Sequence, residues 1–588
     1  MTNNKIMRIN LSSFKSEVYE DSKLFDKYLG GTGVATKLLY DMNIKNIDPL
    51  SPESPIILAI GPLNGIYPIA TKTIAMFKSP LTGNLGESHA GGRLFMSMYD
   101  AGLSAIVITG KSPYPVFIVI KDEEVEFHRA YSIWGQSALA TERILHSRAE
   151  GVGKRSIIRI GPAGEHKSLM ANVSVDTGRH FGRLGLGAVF GSKNLKAVVI
   201  SGSKRHKTEN FAKFNKIYNK IFWDAVKSPA MKKYHNLGTP QNVLPLNKIN
   251  SLPTRNFSQG FFENAEALSG ENMSENYLAQ QIACANCPVG CIHLGVLREP
   301  FEDNIHYKSF KIPYDYEPIY AMGTNLSIST PEALLKLLYI VERAGWDVME
   351  TGVTLSWATE AFERGIIGVK ETDGLVLNFG DFETYEKVLY NMWNMKNEFY
   401  GDLNNGSAFC AEKYGGKEFA INFGKNGSPG YITGRDAFLG FLMGVRHSHL
   451  DSAGYSLDEK IIKGEMSEDP SAEVDLLIKE EEWRFILNSL TICLFARKIY
   501  TEDLVLEALD SVGIHRTSEQ LKNLSRRIHA LKYKIKIDNG FDLDKLEFPE
   551  KLYRVQTGRG KMDKGVVRKM ISDYTSKIRE IIREAEDE

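Results

Sequence analysis

Three cysteines fall within eight residues, Cys284-Ala-Asn-Cys287-Pro-Val-Gly-Cys291, in a chain that has five. A C-x2-C-x3-C run places three thiolates on one tight loop, and Pro288 and Gly290 inside it favour a turn over a helix. Three soft ligands so close together suit an iron–sulfur cluster or zinc, and either needs a fourth ligand from elsewhere. Zinc sites usually pair two C-x-x-C knuckles or add nearby histidines. Here no second knuckle exists, and His293 lies only two residues past Cys291. An iron–sulfur cluster can take a distant fourth thiolate, and Cys493 and Cys410 are both candidates. Three buried thiols without metal is the plain alternative. The chemistry this run points to is electron transfer.

A second set of residues is dense in glycine and interspersed with cations. It comprises Gly61–Gly65, Lys78–Gly83, Ser88–Gly92 and the longer stretch Arg179–Lys196. Glycines let backbone N–H groups approach a ligand closely, and Lys72, Arg179 and Arg183 add positive charge, so such a surface suits phosphate. The bland reading is a set of β-turns and a Gly-rich strand crossing.

These segments lie in a region built from short β-type runs. Residues 55–60, 74–77, 105–109, 116–120, 125–128, 156–160 and 197–201 alternate with turn signals, which predicts a mainly β domain over 1–205. Around the polar stretch 203–210 the character changes to long helical patterns, giving a helical domain with the cysteine loop over 206–425 and a second helical domain over 426–588. Thr330-Pro331 predicts a helix start that runs to Gly345, a second helix spans about 350–364, and Val567, Met570, Ile571, Tyr574, Ile578, Ile581 and Ile582 mark one face of a last helix. The fold class expected is α+β, with an N-terminal β-sheet base followed by two mainly helical domains.

Composition narrows the function classes. At 588 residues the chain exceeds one core, and it is 43% hydrophobic and 24% charged. Seventy-two basic residues balance seventy-two acidic ones, which leaves no excess for nucleic acid. No apolar run reaches a membrane span and the start has no signal-peptide core, so a cytoplasmic protein is expected. An odd, small number of cysteines argues against a disulfide framework.

The ordered motifs GPLNG (61–65), KSPLTGNLGESHAGGRLFMSMYDAGLSAIVITGKSPYPV (78–116), RIGPAGEH (159–166), GRLGLGAVFGSKNLKAVVISG (182–202), LPTRNFSQG (252–260), CANCPVGC (284–291) and YEPIYAMGTN (316–325) closely resemble the aldehyde ferredoxin oxidoreductases, tungsten enzymes with a bis-pterin cofactor. The resemblance runs over nearly the whole length. It implies a β base that cradles the pterins, with helical domains closing over them. It implies one [4Fe–4S] cluster on Cys284, Cys287, Cys291 and Cys493, and leaves Cys410 as a buried free thiol. It also accounts for the lack of a His or carboxylate constellation for the catalytic metal, because dithiolene sulfurs of the pterins hold tungsten, or molybdenum.

By the same resemblance the pterin phosphates meet at a Mg2+ ion beside Lys72, His89 and Arg183-Leu184-Gly185-Leu186-Gly187, with the Leu184 carbonyl facing the metal. Gly91, Gly92, Arg179 and Gly182 belong to the same cradle. Two pterin motifs, D-x-x-G-L-D and D-x-x-G-L-C, correspond to Glu342–Asp347 and Asn488–Cys493, which puts Asp347, Asn488 and Ile492 against the cofactor. The chain departs from the pattern at Glu342, Asn488 and Thr491, and has Lys72 where Arg is usual and His89 where Asn is usual. Lys cannot make the bidentate fork of Arg.

Glu317 matches the family's active-site glutamate, and His449 its histidine, with His447 as the alternate two residues away. The activity implied is oxidation of an aldehyde to a carboxylic acid, with electrons leaving through the cluster to ferredoxin or a ferredoxin-like subunit. The partners expected are that carrier and a small aldehyde, with no nucleic acid and with room for a homodimer. The Glu-x-x-His bridge used by some dimeric relatives is missing at Glu332–Leu335. Two other readings keep part of this picture: a catalytic subunit of a specialised reductase with another substrate, and a pterin-free iron–sulfur subunit.

Overall fold

The computed structural model describes residues 4–148, 155–204, 211–301 and 306–587. Two six-stranded mixed sheets form the base. The first has strands β1 (Lys5–Asn10), β2 (Lys15–Glu20), β3 (Ile56–Ala59), β4 (Thr73–Lys78), β5 (Leu85–Ala90) and β6 (Ala105–Thr109), in the order β2-β1-β6-β3-β4-β5. The second has β7 (Val116–Lys121), β8 (Glu124–Arg129), β9 (Ser156–Arg159), β10 (Val173–Val175), β11 (Arg179–Phe181) and β12 (Leu195–Ser201), in the order β11-β10-β9-β12-β7-β8. Central strands β3, β4 and β9 are buried along their whole length, which is why they read as continuous apolar runs. The expected strands all appear, within about two residues at their ends. The 205–210 part of the expected linker lies outside the described residues.

The rest is mainly helical, as the α+β expectation required. Pro331–Ala344 starts after Thr330 and stops at Gly345, whose φ of 80° suits glycine. Val348–Glu363 follows, and Lys564–Asp587 closes the chain with Val567, Met570, Tyr574 and Ile578 buried. One sheet was not anticipated in this region: β13 (Leu278–Ile282), β14 (Ile292–Phe301) and β15 (His306–Tyr314) pair antiparallel, and the cysteine loop joins β13 to β14. The 425/426 division falls inside a short hairpin, where Phe423 pairs with Asn426. No helix among the described residues is long and apolar enough to cross a membrane.

The base grips the helical part through two equivalent clasps. Gly61 begins a segment whose Ala70 bridges Ile492, and Gly161 begins one whose Ala171 bridges Trp346. Cys493 N donates to Ile69 O at 3.0 Å, and Asp347 N donates to Met170 O at 2.7 Å. A Cβ on Gly61 would meet the Leu490 carbonyl carbon at 2.6 Å, and one on Gly161 the Ala344 oxygen at 2.2 Å, so both positions need glycine for close backbone approach. Leu490 stands to Cys493 as Ala344 stands to Asp347. The segment leading into β4 therefore holds the strap 488–493 and the segment leading into β10 the strap 342–347, an internal echo whose trace in sequence is the Ile-Gly-Pro shared by 60–62 and 160–162.

Candidate active site

The cysteine loop turns at Asn286 (φ 54°) and Gly290 (φ 63°). The Gly92 amide donates to Cys284 Sγ at 3.2 Å, and Ala285 N donates to Gly92 O at 3.0 Å. Asn286 O accepts from Ile69 N at 3.0 Å, and Asn286 Nδ2 donates to Tyr67 O at 2.9 Å. The segment 67–69 thus anchors the loop and, through Ile69 O, also Cys493. The outcome is a ring of Cys284, Cys287, Cys291 and Cys493, close enough for their charges to act on one another. Burial pushes the Cys287 thiol up to about 12 and raises Cys291 too, so both stay protonated unless a metal takes the proton's place. Cys410 is elsewhere, buried with its thiol donating to Asp402 O at 3.3 Å. His293 points away from the thiols and donates from Nε2 to His235 O at 2.8 Å.

Two cations face the ring. A Cβ on Gly91 would lie 2.8 Å from Cys284 Sγ, 3.4 Å from Lys72 Nζ and 3.6 Å from Arg179 Cδ, which places all four groups together. Burial works against the Lys72 ammonium, but the thiolate charges of Cys493 and Cys284 raise its pKa overall. Arg179 Nη1 lies 3.5 Å from Asp315, while its buried Nε and Nη2 have no hydrogen-bond partner. A buried guanidinium left that way is costly unless a ligand completes it.

Arg183 is less free than the resemblance implied. Its Nε donates to Asp347 at 3.0 Å and its Nη2 to Gly427 O at 2.7 Å, and only the buried Nη1 lacks a partner. Asp347 also caps Val348–Glu363 by accepting from Met349 N at 3.0 Å. Glu342, in the place of a leading aspartate, bonds to His180 at 2.9 Å. Gly182, Arg183, Glu342 and Asp347 line one cavity of about 130 Å³. Asn488 is buried in the last turn of Pro470–Ser489. Three expected cradle residues have a packing role. Leu186 and Ile492 are core side chains, and a Cβ on Gly187 would meet Asn172 O at 2.3 Å. Gly185 (φ 79°) backs onto Leu169 O in the same way, and the Leu184 carbonyl accepts from Ser79 Oγ at 2.8 Å.

Glu317 sits in the first turn of Tyr316–Met322, where it suits the helix N-terminus. His449 Nε2 is 3.1 Å from Glu317 Oε1, and Tyr431 OH donates to the same oxygen at 3.2 Å. Burial works to raise the Glu317 carboxyl, but the His449 hydrogen bond and charge, with Tyr431, hold it below its ordinary value. His449 Nδ1 is buried without a partner. Tyr431 stacks on Tyr455 with centroids 4.4 Å apart and lies 5.2 Å from Tyr316, so the pair sits beside a cluster of tyrosine rings. His447 does not belong to it. The backbone turns at His447 (φ 54°), its Nδ1 donates to Phe441 O at 3.0 Å, and its Nε2 accepts from Lys536 at 3.0 Å. The alternate histidine is thereby corrected to a satisfied core residue.

His89 is likewise engaged, in a buried network that the sequence did not signal. Nε2–H donates to Glu87 at 2.7 Å, and Nδ1 accepts from Arg446 at 3.3 Å. Burial and the Arg446 charge bring His89 down to about 4, so it is neutral, which fits that donor–acceptor pattern. Glu87 also takes Thr32 Oγ1 at 2.7 Å and Lys532, which ties the base to helix Ser518–Asp538. Arg446 in turn pairs with Asp451 at 2.6 Å, closing the loop that carries His447 and His449. Burial raises the Glu87 carboxyl, but Lys532 and His89 outweigh it and hold its pKa well below the ordinary value. The stability it contributes is therefore present above the unfolded-state pKa and disappears as pH falls through the lowered folded pKa. Glu87→Gln strands the Lys532 ammonium. It should cost about 3–5 kcal/mol, read as a lower midpoint of thermal unfolding at neutral pH, with the gap to the parent narrowing in acid. An unchanged midpoint would overturn that reading of the network.

Comparison with known proteins agrees with this architecture. The family profile of the aldehyde ferredoxin oxidoreductase N-terminal domain matches residues 6–202, and that of domains 2 and 3 matches residues 216–577. The tungsten-containing aldehyde ferredoxin oxidoreductase of Pyrococcus horikoshii is 35% identical over 440 residues, 73% of this chain and 70% of the relative. That of Pyrococcus furiosus is 32% identical over 554 residues, 92% of this chain and 89% of the relative. The protein is an oxidoreductase. It belongs to the aldehyde ferredoxin oxidoreductase family. A more divergent relative, the WOR-like subunit of an aliphatic sulfonate oxidoreductase of Pyrococcus furiosus, is 31% identical over 405 residues, 66% of this chain and 64% of that protein. Among solved structures, the active site complex BamBC of benzoyl coenzyme A reductase superposes with a TM-score of 0.81 at 19% identity, covering 98% of this chain and 94% of that one, and so shares the fold.

Proposed function

We propose that the protein is a tungsten (or molybdenum) bis-pterin enzyme that oxidises an aldehyde to a carboxylic acid in the cytoplasm and passes electrons through a [4Fe–4S] cluster to ferredoxin. The observation that carries the reading is the buried Glu317–His449 pair beside Tyr431, in a chain whose four neighbouring cysteines face two cations. Four thiols suit a cluster. Lys72 and Arg179 offset the cluster's negative charge. The unpartnered nitrogens of Arg179 and Arg183, with Asp347 and Asn488, fit a polar, anionic cofactor spanning the two straps. That fit speaks against the pterin-free reading.

When bound, the pterin-held metal supplies the two-electron oxidation. The residues supply the rest. Overall, an aldehyde and water give a carboxylic acid, two protons and two electrons. Glu317, ionised at neutral pH, takes a proton from the water that adds to the carbonyl carbon. His449 donates to the carbonyl oxygen as negative charge grows there. Tyr431, whose phenol burial holds protonated, keeps Glu317 oriented. Tyr316, Tyr431 and Tyr455 exclude bulk water.

Metal analysis and turnover test this together. The isolated protein should carry about one tungsten or molybdenum and about four irons per chain. It should oxidise aldehydes anaerobically with a viologen acceptor. His449→Asn should lower the rate roughly 10–100-fold. His447→Asn should lower stability by about 1–3 kcal/mol and leave the rate close to parental. Iron without the heavier metal would overturn the pterin reading. Full metallation without turnover of any aldehyde would favour the specialised-reductase reading, which the relative named as a subunit of an aliphatic sulfonate oxidoreductase supports.

A further inference from the structure

The two helices that close over the cysteine loop carry a charge the whole chain does not. Phe211–Lys227 and Pro229–Leu237 hold six lysines against one acid, Asp224, in a protein of zero formal net charge. Their inner faces hold the thiol ring. Tyr218 OH donates to Asn286 Oδ1 at 3.4 Å, and His235 Nδ1 donates to Val289 O at 2.8 Å. Tyr234 stacks at 4.2 Å on Phe495, two residues past Cys493. The helices therefore touch both chain segments that supply the ring.

Their outer faces are built differently. Lys213 pairs with Asp510 on the neighbouring helix Glu502–Ser511, and the other five lysines are exposed. Lys216, Lys220, Trp223 and Lys227 recur at four- and three-residue steps and so share one stripe. Trp223 is 50% exposed, and the Lys227 ammonium lies 5.8 Å from its ring centroid. Lys232 and Lys233 are exposed on the second helix, and Lys498, five residues past Cys493, is exposed too. Cations around an accessible aromatic suit a brief encounter, in which charge steers the partner and the ring gives apolar contact without a fixed register.

We propose that this face docks a small, acidic, one-electron carrier protein of the iron–sulfur type directly over the thiol ring. The proposal rests on the reading that the four cysteines hold an electron-transfer cluster. Each encounter moves one electron from the cluster to an oxidised carrier, so two carriers are reduced for each aldehyde oxidised. Charge complementarity selects this occupant. A long nucleic acid would need a broader basic surface than one helix pair in an otherwise neutral protein provides.

The test uses the full-chain holoenzyme and an acidic [4Fe–4S] ferredoxin. Two charge-reversal variants, Lys216→Glu/Lys220→Glu and Lys232→Glu/Lys233→Glu, are compared with a control of like charge change, Lys370→Glu/Lys387→Glu. Calorimetric titration at low salt should give a dissociation constant weakened ~10–100-fold in the first two and unchanged in the control. Added salt should narrow the difference. Electron flow to a viologen, which needs no docking face, should stay parental throughout. Ferredoxin binding as tight in both reversal variants as in the parent overturns the proposal, and so does equal weakening in the control. The cluster reading is judged separately, by the iron content and reduced-state spectrum of the parent. Its failure is thus distinct from a failure of docking.

Discussion

Glu317→Gln should keep its tungsten or molybdenum and its iron, yet oxidise aldehydes roughly two to four orders of magnitude more slowly, the usual range for a lost general base. The amide is nearly isosteric, so Tyr431 can still donate to the remaining carbonyl oxygen and helix Tyr316–Met322 is undisturbed. What disappears is the acceptor for a proton. His449 also loses its ionic partner 3.1 Å away, which weakens its grip on the substrate oxygen. The parent's pH profile carries the same assignment. Because His449 and Tyr431 hold the Glu317 carboxyl below its ordinary pKa, activity should persist into mild acid and fall only as that lowered pKa is crossed. Measuring kcat/KM with a viologen acceptor across acid pH checks both. Parental turnover by Glu317→Gln would remove it as the base, and an acid limb near neutrality would assign the titration to another group.

Cys493→Ser should give protein with a labile or three-iron centre and a large loss of viologen-linked turnover, whereas Cys410→Ser should keep its full iron. The two thiols are chemically alike and both distant in sequence from the loop. Position separates them: the Cys493 amide is held by Ile69 O, beside the strand segment that also anchors Asn286, while the Cys410 thiol is spent on Asp402 O. Serine at 493 preserves that amide bond and changes only the ligand atom. Iron analysis and low-temperature electron paramagnetic resonance of the reduced proteins decide it. Loss of iron from Cys410→Ser, with retention in Cys493→Ser, would reverse the assignment.

The parts of this structure that were readable in sequence are those set by local rules. Runs such as Ile56–Ala59 and Val116–Lys121 announce buried strands, and Thr330-Pro331 with Gly345 brackets a helix. The spacing of Cys284, Cys287 and Cys291 announces a ligand loop. The unread parts depend on partners far along the chain. Strand β5, Leu-Gly-Glu-Ser-His-Ala, looks too polar to be buried, and is stable there because Lys532, Thr32 and Arg446 satisfy Glu87 and His89. Strand β13 is polar because it is a half-exposed edge. His447 and His449 differ only in which way the backbone turns between them, and a positive φ at a non-glycine residue leaves no reliable mark in sequence. Gly185 and Gly187 also let backbones approach closely, at Leu169 O and Asn172 O, a partner choice that no local spacing announces.

The twin clasps also set an order of events in the life of the chain. One strap, 342–347, and the sheet that grips it can meet while the polypeptide is still being made. The other pairing joins Ala70 to Ile492, and Lys532 must then reach Glu87. Most of the chain has left the ribosome before Cys493 can join the other three cysteines, so whatever those four thiols hold is seated late in synthesis.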